Sequence, residues 1–555
     1  MNIQPSPTTS ERYFLLCLKG TSTWFQKTNQ KLSICKFPSR SAHYGQIKGV
    51  SQEAKIAQAT EKIKGADSNF SIISIPLVTA YDFQEAADAE EETGGKWRAG
   101  DPAKSSRAFV RAIEIYNNGL QKHPKDADLA YNKARLEFEL SQQPTLVAKL
   151  AVPSLDFLQQ ALNSHRYALQ LNGESADVLF NTAQVMISIA EYVTEAGIFS
   201  AQADSVSLLR EALELLSACF TRQEQLVEEQ NANSMEAEGG VAIDQEVPAA
   251  QPEASAAGDT APEDEEESEY VSVQAYITPS DLLDTARSSL TALTLLITLD
   301  DPSNVSPLAK MGITLVEHKI PQYLSQVEAE ERAQEEPDVL LERAQFHAAL
   351  TVADLKLGTA SANDSLGRLQ QAFEPLDTTA NVAVMCTYAD SLVELTTTAQ
   401  NFSPSSAAMT CWSTLSKAQD LYAAAVKIND TEAKERKARV YESRGDVELL
   451  RFNLATTPAA GLSAAIQKSA PTLIKNAQTY YRGAMNLFRA EGDAEAAGKV
   501  EVRGLIATML EGKLNGNVGQ QIVAALGQKG EAGRAVAMDM LRESLLPEDW
   551  DQGVM

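Results

Sequence analysis

The stretch that decides the fold occurs more than once. DLAYNKARL at residues 128–136 recurs as DVLFNTAQV at residues 177–185, 49 positions later, and as DVLLERAQF at residues 338–346. Each copy begins with Asp, carries large apolar residues at helical spacing and has Ala six positions after the Asp. A small residue at one constant position lets a neighbouring helix approach closely. These copies predict an array of similar helices that pack against one another.

A second pattern is a small residue, an aromatic residue four positions later and a small residue three positions after that. Its best copy is Ala112, Tyr116 and Gly119, with Pro124 five positions further on. Four more copies, two of them with His or Leu at the aromatic position, are Ala161, His165 and Ala168; Ala212, Leu216 and Cys219; Ala418, Tyr422 and Ala425; and Ala477, Tyr481 and Ala484.

This second pattern resembles helix B of the tetratricopeptide repeat, a family that pairs two antiparallel helices in each repeat of about 34 residues. Gly100 stands where helix A of that family has a glycine. The resemblance covers residues 93–220 and 337–512, with longer intervals between units. Those intervals imply extended connections between helices, for example from Ser141 to Pro153. The resemblance also implies that Tyr116, Tyr422 and Tyr481, and His165 at the same position, fill the core.

The fold class that the resemblance implies is all-α: a tetratricopeptide-like right-handed α-solenoid of antiparallel helical hairpins. We expect six or seven hairpins in two blocks, residues 80–231 and 278–545. Each hairpin would bury its apolar face against its neighbours. Helices at Val518 to Lys529 and at Glu531 to Leu545 would cap the array, and residues 546–555 would form a tail.

Charge is distributed unevenly along the 555 residues. The formal net charge is −27, and 17 carboxylates without a single Lys or Arg lie between Arg222 and Arg287. The composition of residues 232–277 buries too little apolar area to offset the entropy of ordering. We expect a disordered acidic insert there, either a solvated linker or an acidic arm for a basic client. The net acidity disfavours direct binding of nucleic acids and anionic membranes.

The first 79 residues have the opposite character. Residues 1–52 carry seven basic residues against Glu11 and are rich in Ser and Thr. This predicts a basic, mostly disordered leader, similar in composition to a mitochondrial transit peptide but without a sustained amphipathic helix. Five scattered cysteines favour a reducing compartment. We expect a cytoplasmic or nuclear protein, with mitochondria as the alternative, and we find no apolar run of the roughly 18 residues that span a membrane.

The inner surface of such a solenoid is lined mainly by helix A, and it usually holds an extended peptide or a helix of another protein. The residues that the resemblance places on this groove are Asp128, Tyr131, Asn132, Arg135, Asp177, Phe180, Asn181 and Gln184.

Some tetratricopeptide proteins bind the carboxylate tail of heat-shock chaperones through a clamp of Lys, Asn and Arg side chains. Asn132 stands at one Asn position of that clamp. Trp97 and Asp101 occupy the places of Lys and Asn in the first repeat, and Asp177 replaces the Lys of the third. Acidic residues there would repel a carboxylate. We predict no binding of heat-shock tails through these repeats.

No enzyme signature is present in the sequence. The five histidines have no metal-ligand spacing, and the HExxH, CxxC, P-loop and G-x-S-x-G motifs are absent. We therefore expect no catalytic residues, no metal and no cofactor.

Three functional hypotheses follow. The first is a non-enzymatic adaptor that binds a protein segment in its groove. The second is an acidic chaperone for basic clients, such as histones or ribosomal proteins, which would use the insert. The third is an enzyme whose site the sequence does not reveal.

Overall fold

The computed structural model describes residues 77–150, 152–196, 202–238, 276–402, 407–514 and 520–546. Every regular element within these ranges is a helix, and they contain no strand. The predictions for the leader up to residue 76, for most of the acidic insert and for the tail after residue 546 lie outside the described residues.

The array is built from twenty α-helices in the described ranges. In chain order they are α1 (Ala80–Trp97), α2 (Pro102–Lys122), α3 (Ala127–Ser141), α4 (Pro144–Leu150), α5 (Ser154–Leu171), α6 (Ala176–Ala196), α7 (Gln202–Glu238), α8 (Pro279–Leu299), α9 (Val305–Thr314), α10 (Ile320–Gln326), α11 (Ala329–Lys356), α12 (Ala362–Phe373), α13 (Val382–Phe402), α14 (Ala408–Ala425), α15 (Thr431–Thr456), α16 (Ala464–Gln467), α17 (Ala470–Glu491), α18 (Ala494–Leu514), α19 (Gln520–Gly527) and α20 (Gly530–Arg542).

Local signals in the sequence start and stop these helices. Thr79 forms a capping box with Asp82 at the start of α1, and Thr278 repeats the arrangement with Asp281 at α8. Asp126 caps α3 through a hydrogen bond from the backbone N–H of Leu129. At the other end, Gly492 terminates α17 with φ of 82°, a conformation that glycine adopts without strain.

The helices form successive hairpins that stack along one direction. The first helices of the hairpins are α1, α3, α6, α8, α11, α13, α15 and α18, and each packs against a second helix of its own hairpin. From α1 to α15, each first helix also contacts the first helix of the next hairpin, whereas the second helices pack mainly against first helices. We call the layer of first helices the inner layer, because helices approach one another most closely on the inside of a curve.

The small–aromatic–small pattern lies on the second helices, and all five copies are buried. Tyr116, Tyr422 and Tyr481 are at most 1% exposed, as predicted. The alanines of the first-helix copies, Ala134 and Ala183, are completely buried. The prediction of an all-α array of packed helical repeats is therefore confirmed.

The three buried tyrosines share a polar contact that the sequence analysis missed. Each hydroxyl lies within hydrogen-bond distance of an Asp of its partner first helix, and that Asp directly follows a small residue. The pairs are Tyr116 with Asp88 (3.2 Å), Tyr422 with Asp390, and Tyr481 with Asp446 (2.7 Å). The preceding small residues are Ala87, Ala389 and Gly445. These hydrogen bonds satisfy a hydroxyl that would otherwise be buried at a cost.

A buried ionic cluster joins the last helices to the array. Arg503 of α18 pairs with Asp446 of α15 and, at 2.9 Å, with Glu543 directly after α20. Glu442 lies 3.7 Å from both Arg503 Nε and Lys499 Nζ. Burial raises the pKa of Glu543 to about 8 and lowers the pKa of Lys499 to about 8. Helices α19 and α20 lie within one to three residues of the predicted capping helices and cover the end of α18.

The hairpin of α8 with α9 and α10 lies within the predicted second block, but between the two stretches that resemble the tetratricopeptide repeat. A π-helical turn, Leu315–Lys319, joins α9 to α10 and interrupts the regular helical pattern. With this hairpin, eight hairpins occur in the described ranges, where six or seven were predicted.

The boundary of the acidic insert also differs from the prediction, because α7 continues to Glu238. One apolar cluster includes Leu216 of α7 and Leu293 of α8 and extends from Phe138 to Ala353. The predicted blocks therefore share a core across the insert.

Helix α8 is long and apolar enough to cross a membrane by length and composition, which the sequence analysis had not recognised. It lies in this shared core, with 61% of its apolar window buried. Its Arg287 is also buried and forms ion pairs with Glu335 and Glu342 of α11. These features are typical of a core helix.

Gly100 does not lie in a first helix, as the family spacing had suggested. It belongs to the turn between α1 and α2. Asp101 caps α2 by accepting a hydrogen bond from Lys104 N–H, and Pro102 occupies the first position of α2. These two residues start the second helix earlier than the tetratricopeptide spacing requires. The extended connection after Ser141 is present as predicted, and it contains the short helix α4.

Candidate functional site

The candidate site is the face of the inner layer formed by α1, α3, α6 and α8. All four helices begin at the same edge of the array, because an antiparallel second helix returns the chain to that edge before each next first helix begins. Corresponding side chains of neighbouring helices can therefore meet in register, and the predicted groove residues lie on α3 and α6 of this face.

Side-chain hydrogen bonds connect the four helices like the rungs of a ladder. Asn132 Nδ2 of α3 donates to Gln84 Oε1 of α1 at 2.8 Å. Asn181 Nδ2 of α6 donates to the Tyr131 hydroxyl of α3 at 2.7 Å. Gln184 Nε2 of α6 donates to the Ser288 hydroxyl of α8.

The structure thus brings the predicted groove residues together on one face. Most of their polar groups, however, form hydrogen bonds or ion pairs with other residues of the protein. Tyr131, Asn132, Arg135 and Asn181 are half-buried and bonded across the inner layer, and Gln184 is buried. Phe180 is half-buried and packs against apolar neighbours. Only Asp128 and Asp177 among the predicted residues are exposed.

The seam between α1 and α3 is closed by ion pairs. Arg135 Nη2 contacts Glu91 Oε2 at 2.6 Å, and Arg135 Nη1 contacts Glu139 Oε2 at 3.3 Å. Glu139 also pairs with Arg98. Glu91 accepts a hydrogen bond of 2.8 Å from the Tyr116 hydroxyl. Burial raises the pKa of Glu91, and the charge of Arg135 opposes that shift.

Residues seven positions apart lie two turns apart on one helix face. On α3 and its C-cap this stripe is Asp128, Arg135 and Gln142, and 49 residues later on α6 it is Asp177, Gln184 and Glu191. In their ionised forms the first stripe has no net charge and the second carries two negative charges. The two copies of one sequence repeat therefore differ in charge on the same face.

Glu191 is 5% exposed, and its Oε2 atom has no hydrogen-bond partner within the part of the chain that the structure describes. Burial alone raises the pKa of Glu191 to about 8. Gln142, at the equivalent position after α3, is 9% exposed, and its Oε1 atom is also without a partner. Two buried acceptor atoms on neighbouring inner helices therefore lack a donor, which is costly for a folded protein.

Asp177, at the other end of the α6 stripe, is exposed by area, yet surrounding protein atoms raise its pKa. The charge of Asp281 on α8 adds to the shift.

The structure gives each position that was compared with the heat-shock clamp a contact within the protein. Trp97 is the last residue of α1, and its ring lies under Lys104 Nζ at 3.4 Å. Asp101 caps α2, so its side chain is occupied by the backbone. Asn132 donates to Gln84. The earlier start of α2 moves Trp97 and Asp101 away from the helix positions that the resemblance had assigned to them.

Two other side chains that could take part in chemistry, His165 and Cys219, are buried in the protein interior. His165 is buried, its Nδ1 lies 2.9 Å from the Ala161 carbonyl oxygen, and burial lowers its pKa to about 4. Burial raises the pKa of the Cys219 thiol to about 12. No group of three His, Cys, Asp or Glu residues in these ranges could hold a metal ion.

Comparison with known proteins adds limited information. No family model matches the chain. A UPF0656 protein of Schizosaccharomyces pombe is 37% identical over 109 residues, which are 20% of this chain and 23% of that protein. The chain thus matches less than a quarter of the relative's length. A solved structure, described as a circular tandem repeat protein with novel repeat topology and enhanced subunit contact surfaces, covers 89% of this chain and 97% of its own at 14% identity, with a TM-score of 0.26. The assignment of the fold is therefore based on the helices described above and not on this likeness.

Proposed function

We propose that this protein is a non-enzymatic interaction scaffold of the tetratricopeptide-like kind, which binds a peptide or a helix of another protein along its inner layer. The observation that supports this most directly is the hydrogen-bond ladder across α1, α3, α6 and α8. The ladder makes the face rigid before a partner arrives, and a preformed face reduces the entropy lost on binding. The partner in this proposal is a protein in the cytoplasm or nucleus.

Site-specific photo-crosslinking tests this proposal. A benzoylphenylalanine replaces Tyr131 or Phe180 on the inner layer, and in a matched control it replaces Met311, an exposed apolar residue of the second-helix layer. We expect the same partner proteins to crosslink at both inner positions and not at Met311. Crosslinking at Met311 alone would contradict the proposal.

A second candidate function, the acidic chaperone for basic clients, is supported by the position of the insert. The first helices have acidic residues in their first turns, including Asp82, Asp128, Asp177 and Asp281. The insert connects the end of α7 to the start of α8, so it joins the array at this acidic edge. Negative charge at helix N-termini also complements the helix dipole, which is the purely structural explanation.

Association rates separate the two candidates. Deleting residues 239–275 should slow association with a basic client at low salt and have a smaller effect at high salt, because charge steering is screened. Equal association rates of the intact and deleted proteins at low salt would exclude an acidic chaperone that depends on the insert and leave the scaffold proposal standing.

A further inference from the structure

We propose that the groove between α14 and α17 binds an acidic segment of a partner protein through Arg444 and Arg451 of α15. Helix α15 packs against both α14 and α17 and forms the floor between them. We call this the α15 groove. Because its walls are second helices, it is separate from the inner face of α1, α3, α6 and α8, and the inference goes beyond the scaffold function proposed above.

The floor of the α15 groove is a charged stripe. Arg444, Glu448 and Arg451 lie on one face of α15, because they are four and three positions apart in succession. Glu448 connects the two walls: it accepts a hydrogen bond of 2.9 Å from Gln419 Nε2 of α14 and another from the Asn476 side chain of α17. Burial raises the pKa of Glu448, and the charges of Arg451 and Arg444 oppose that shift. Both guanidinium groups therefore lie near the same carboxylate.

Each arginine lies against an aromatic ring on a different wall. Arg444 Cζ is 4.1 Å from the ring centroid of Tyr480 of α17, and Arg444 Nη2 donates to the Tyr480 hydroxyl at 2.7 Å. Arg451 Cζ is 4.6 Å from the ring centroid of Trp412 of α14. All four side chains are half-buried, so solvent reaches them. A guanidinium group that is stacked on a ring keeps N–H donors at its edge for an anion.

The positive charge of the α15 groove is only partly balanced. The Nε atoms of Arg444 and Arg451 are buried and have no hydrogen-bond partner within the described ranges. Arg451 Nη1 lies 3.4 Å from Glu448 Oε1, whereas the acceptor for Arg444 is a neutral hydroxyl. Two guanidinium groups thus share one carboxylate, in a protein with a formal net charge of −27. Because desolvated charge without a partner is costly, an anion from outside would stabilise the groove.

The fold does not require charged residues at these positions. Asp390 of α13 and Asp446 of α15 are equivalent, since each lies within hydrogen-bond distance of a buried tyrosine hydroxyl of its second helix. Aligned on these two residues, α13 has apolar or aromatic side chains where α15 has the charged stripe. They are Tyr388, Leu392 and Leu395, at most 4% exposed. The charged residues of α15 therefore point to a role other than packing.

A peptide with spaced carboxylates fits the two arginines. Seven positions separate them, which is about 10 Å along α15. In the polyproline II conformation, which is common in unfolded chains, side chains three residues apart point the same way and are about 9 Å apart. Each carboxylate can accept two parallel hydrogen bonds from one guanidinium group. A nucleic acid suits the groove less well, because the net acidity of the whole protein repels a chain with a phosphate on every nucleotide.

The experiment measures fluorescence anisotropy of a labelled twelve-residue peptide with Glu at every third position and Ser elsewhere, at low and at moderate salt. We expect the parent protein to bind it, and we expect Arg444→Gln and Arg451→Gln each to weaken binding about tenfold, because a charge-assisted hydrogen-bonded pair is lost. The control Arg482→Gln removes an exposed arginine two positions from Tyr480, on the opposite side of α17, and should change the affinity by about twofold or less.

Thermal melting followed by circular dichroism establishes that each variant is folded. If either Gln variant is not, Arg444→Lys takes its place. It keeps the charge but loses the planar fork, and it should weaken binding about threefold.

Three outcomes would overturn the inference: absence of peptide binding to the parent, equal weakening by Arg482→Gln, or tighter binding of a ten-nucleotide oligouridine than of the peptide. A fourth concerns the source of the acidic segment. If deletion of residues 239–275 raises the peptide affinity of the parent about tenfold but does not change that of Arg444→Gln, the chain's own insert occupies the groove, and docking of a partner there is wrong. The scaffold proposal is tested separately, since crosslinking at Tyr131 and Phe180 reports on the inner layer.

Discussion

The stripes on α3 and α6 occupy the same face of two copies of one repeat, yet they have different electrostatic roles. On α3 the central residue is Arg135, which pairs with Glu91 and Glu139 and closes the seam to α1. On α6 the central residue is Gln184, which donates to the Ser288 hydroxyl, and the stripe ends at Glu191, whose Oε2 atom has no hydrogen-bond partner among the described residues. The difference indicates that ion pairs hold the array together at its start, whereas one repeat later the same face carries a buried carboxyl without such a pair.

Loss of Arg135, which closes the seam between α1 and α3, should have the largest effect on the free energy of unfolding, and it tests this comparison first. Arg135→Met leaves Glu91 and Glu139 partly buried without that cation, which should lower the free energy of unfolding by about 3 kcal/mol. The matched control is Arg166→Met, which removes an exposed ion pair to Glu211 of the same 2.6 Å length. That pair should contribute less than about 1 kcal/mol. Urea denaturation of both variants measures the difference, and equal losses would contradict the assigned role of Arg135.

The two copies should respond alike where their packing is the same. Ala134 and Ala183 are both completely buried, at the same position of the repeat. Replacing either with Leu should overpack the contact between helices and cost about 1–3 kcal/mol. Thermal unfolding of the two variants tests this, and an unchanged melting temperature in either one would show that the repeats are not equivalent at this position.

The central residues of the two stripes should differ in their contribution to stability. Gln184→Leu removes the hydrogen bond to Ser288, whose own hydroxyl still donates to the Asp284 carbonyl oxygen. The expected loss is about 1 kcal/mol, smaller than for Arg135→Met, because no charge is left unpaired. If Gln184→Leu destabilised the protein as much as Arg135→Met, the contrast between the seams would not hold.

Removal of the insert should have the smallest effect on stability. The shared core contains residues of both α7 and α8, the two helices that flank the insert. Replacing these residues with a short Gly-Ser linker should change the free energy of unfolding by about 0.5 kcal/mol or less, since loop closure depends weakly on length. Calorimetry of the intact and shortened proteins checks this, and a loss of several kcal/mol would mean that the insert contributes to the fold.

The parts of the structure that the sequence predicted are those that depend on spacing within one helix. The burial of Ala134 and Ala183 was predicted from the repeated spacing of the first-helix copies, and the burial of the three tyrosines from the resemblance to the tetratricopeptide repeat. The capping helices followed from apolar spacing as well. A further local signal was available in the small residue followed by Asp, as in Ala87-Asp88 and Gly445-Asp446, which marks the first helix that receives each tyrosine hydroxyl.

The contacts between helices could not be predicted in the same way. Whether Asn181 bonds to Tyr131, or remains free for a ligand, depends on the register of α6 against α3, which an offset of 49 residues does not determine. The hairpin of α8 with α9 and α10 lies in the predicted second block but has no copy of the repeat pattern, since the π-helical turn interrupts its periodicity. Its packing signal is Gly312, where a Cβ atom would lie 2.2 Å from the Phe346 ring.

The protonation of Glu191 tests the central claim most directly. Burial raises its pKa from 4.5 to about 8, so the folded protein holds a proton that the unfolded chain releases. The stability that this group contributes is therefore fully present below about pH 4.5 and is lost as the pH rises to about 8. The amide side chain of the Glu191→Gln variant mimics the protonated carboxyl and has no such dependence.

The measurement is the free energy of unfolding of the parent and of Glu191→Gln, by urea titration at several pH values from 5 to 8.5. We expect the two proteins to be similar at pH 5 and the variant to become more stable than the parent by about 3 kcal/mol near pH 8. A difference that stays constant between pH 5 and pH 8.5 would show that Glu191 is ionised throughout, and the claim of an unpaired buried carboxyl on the α6 stripe would be wrong.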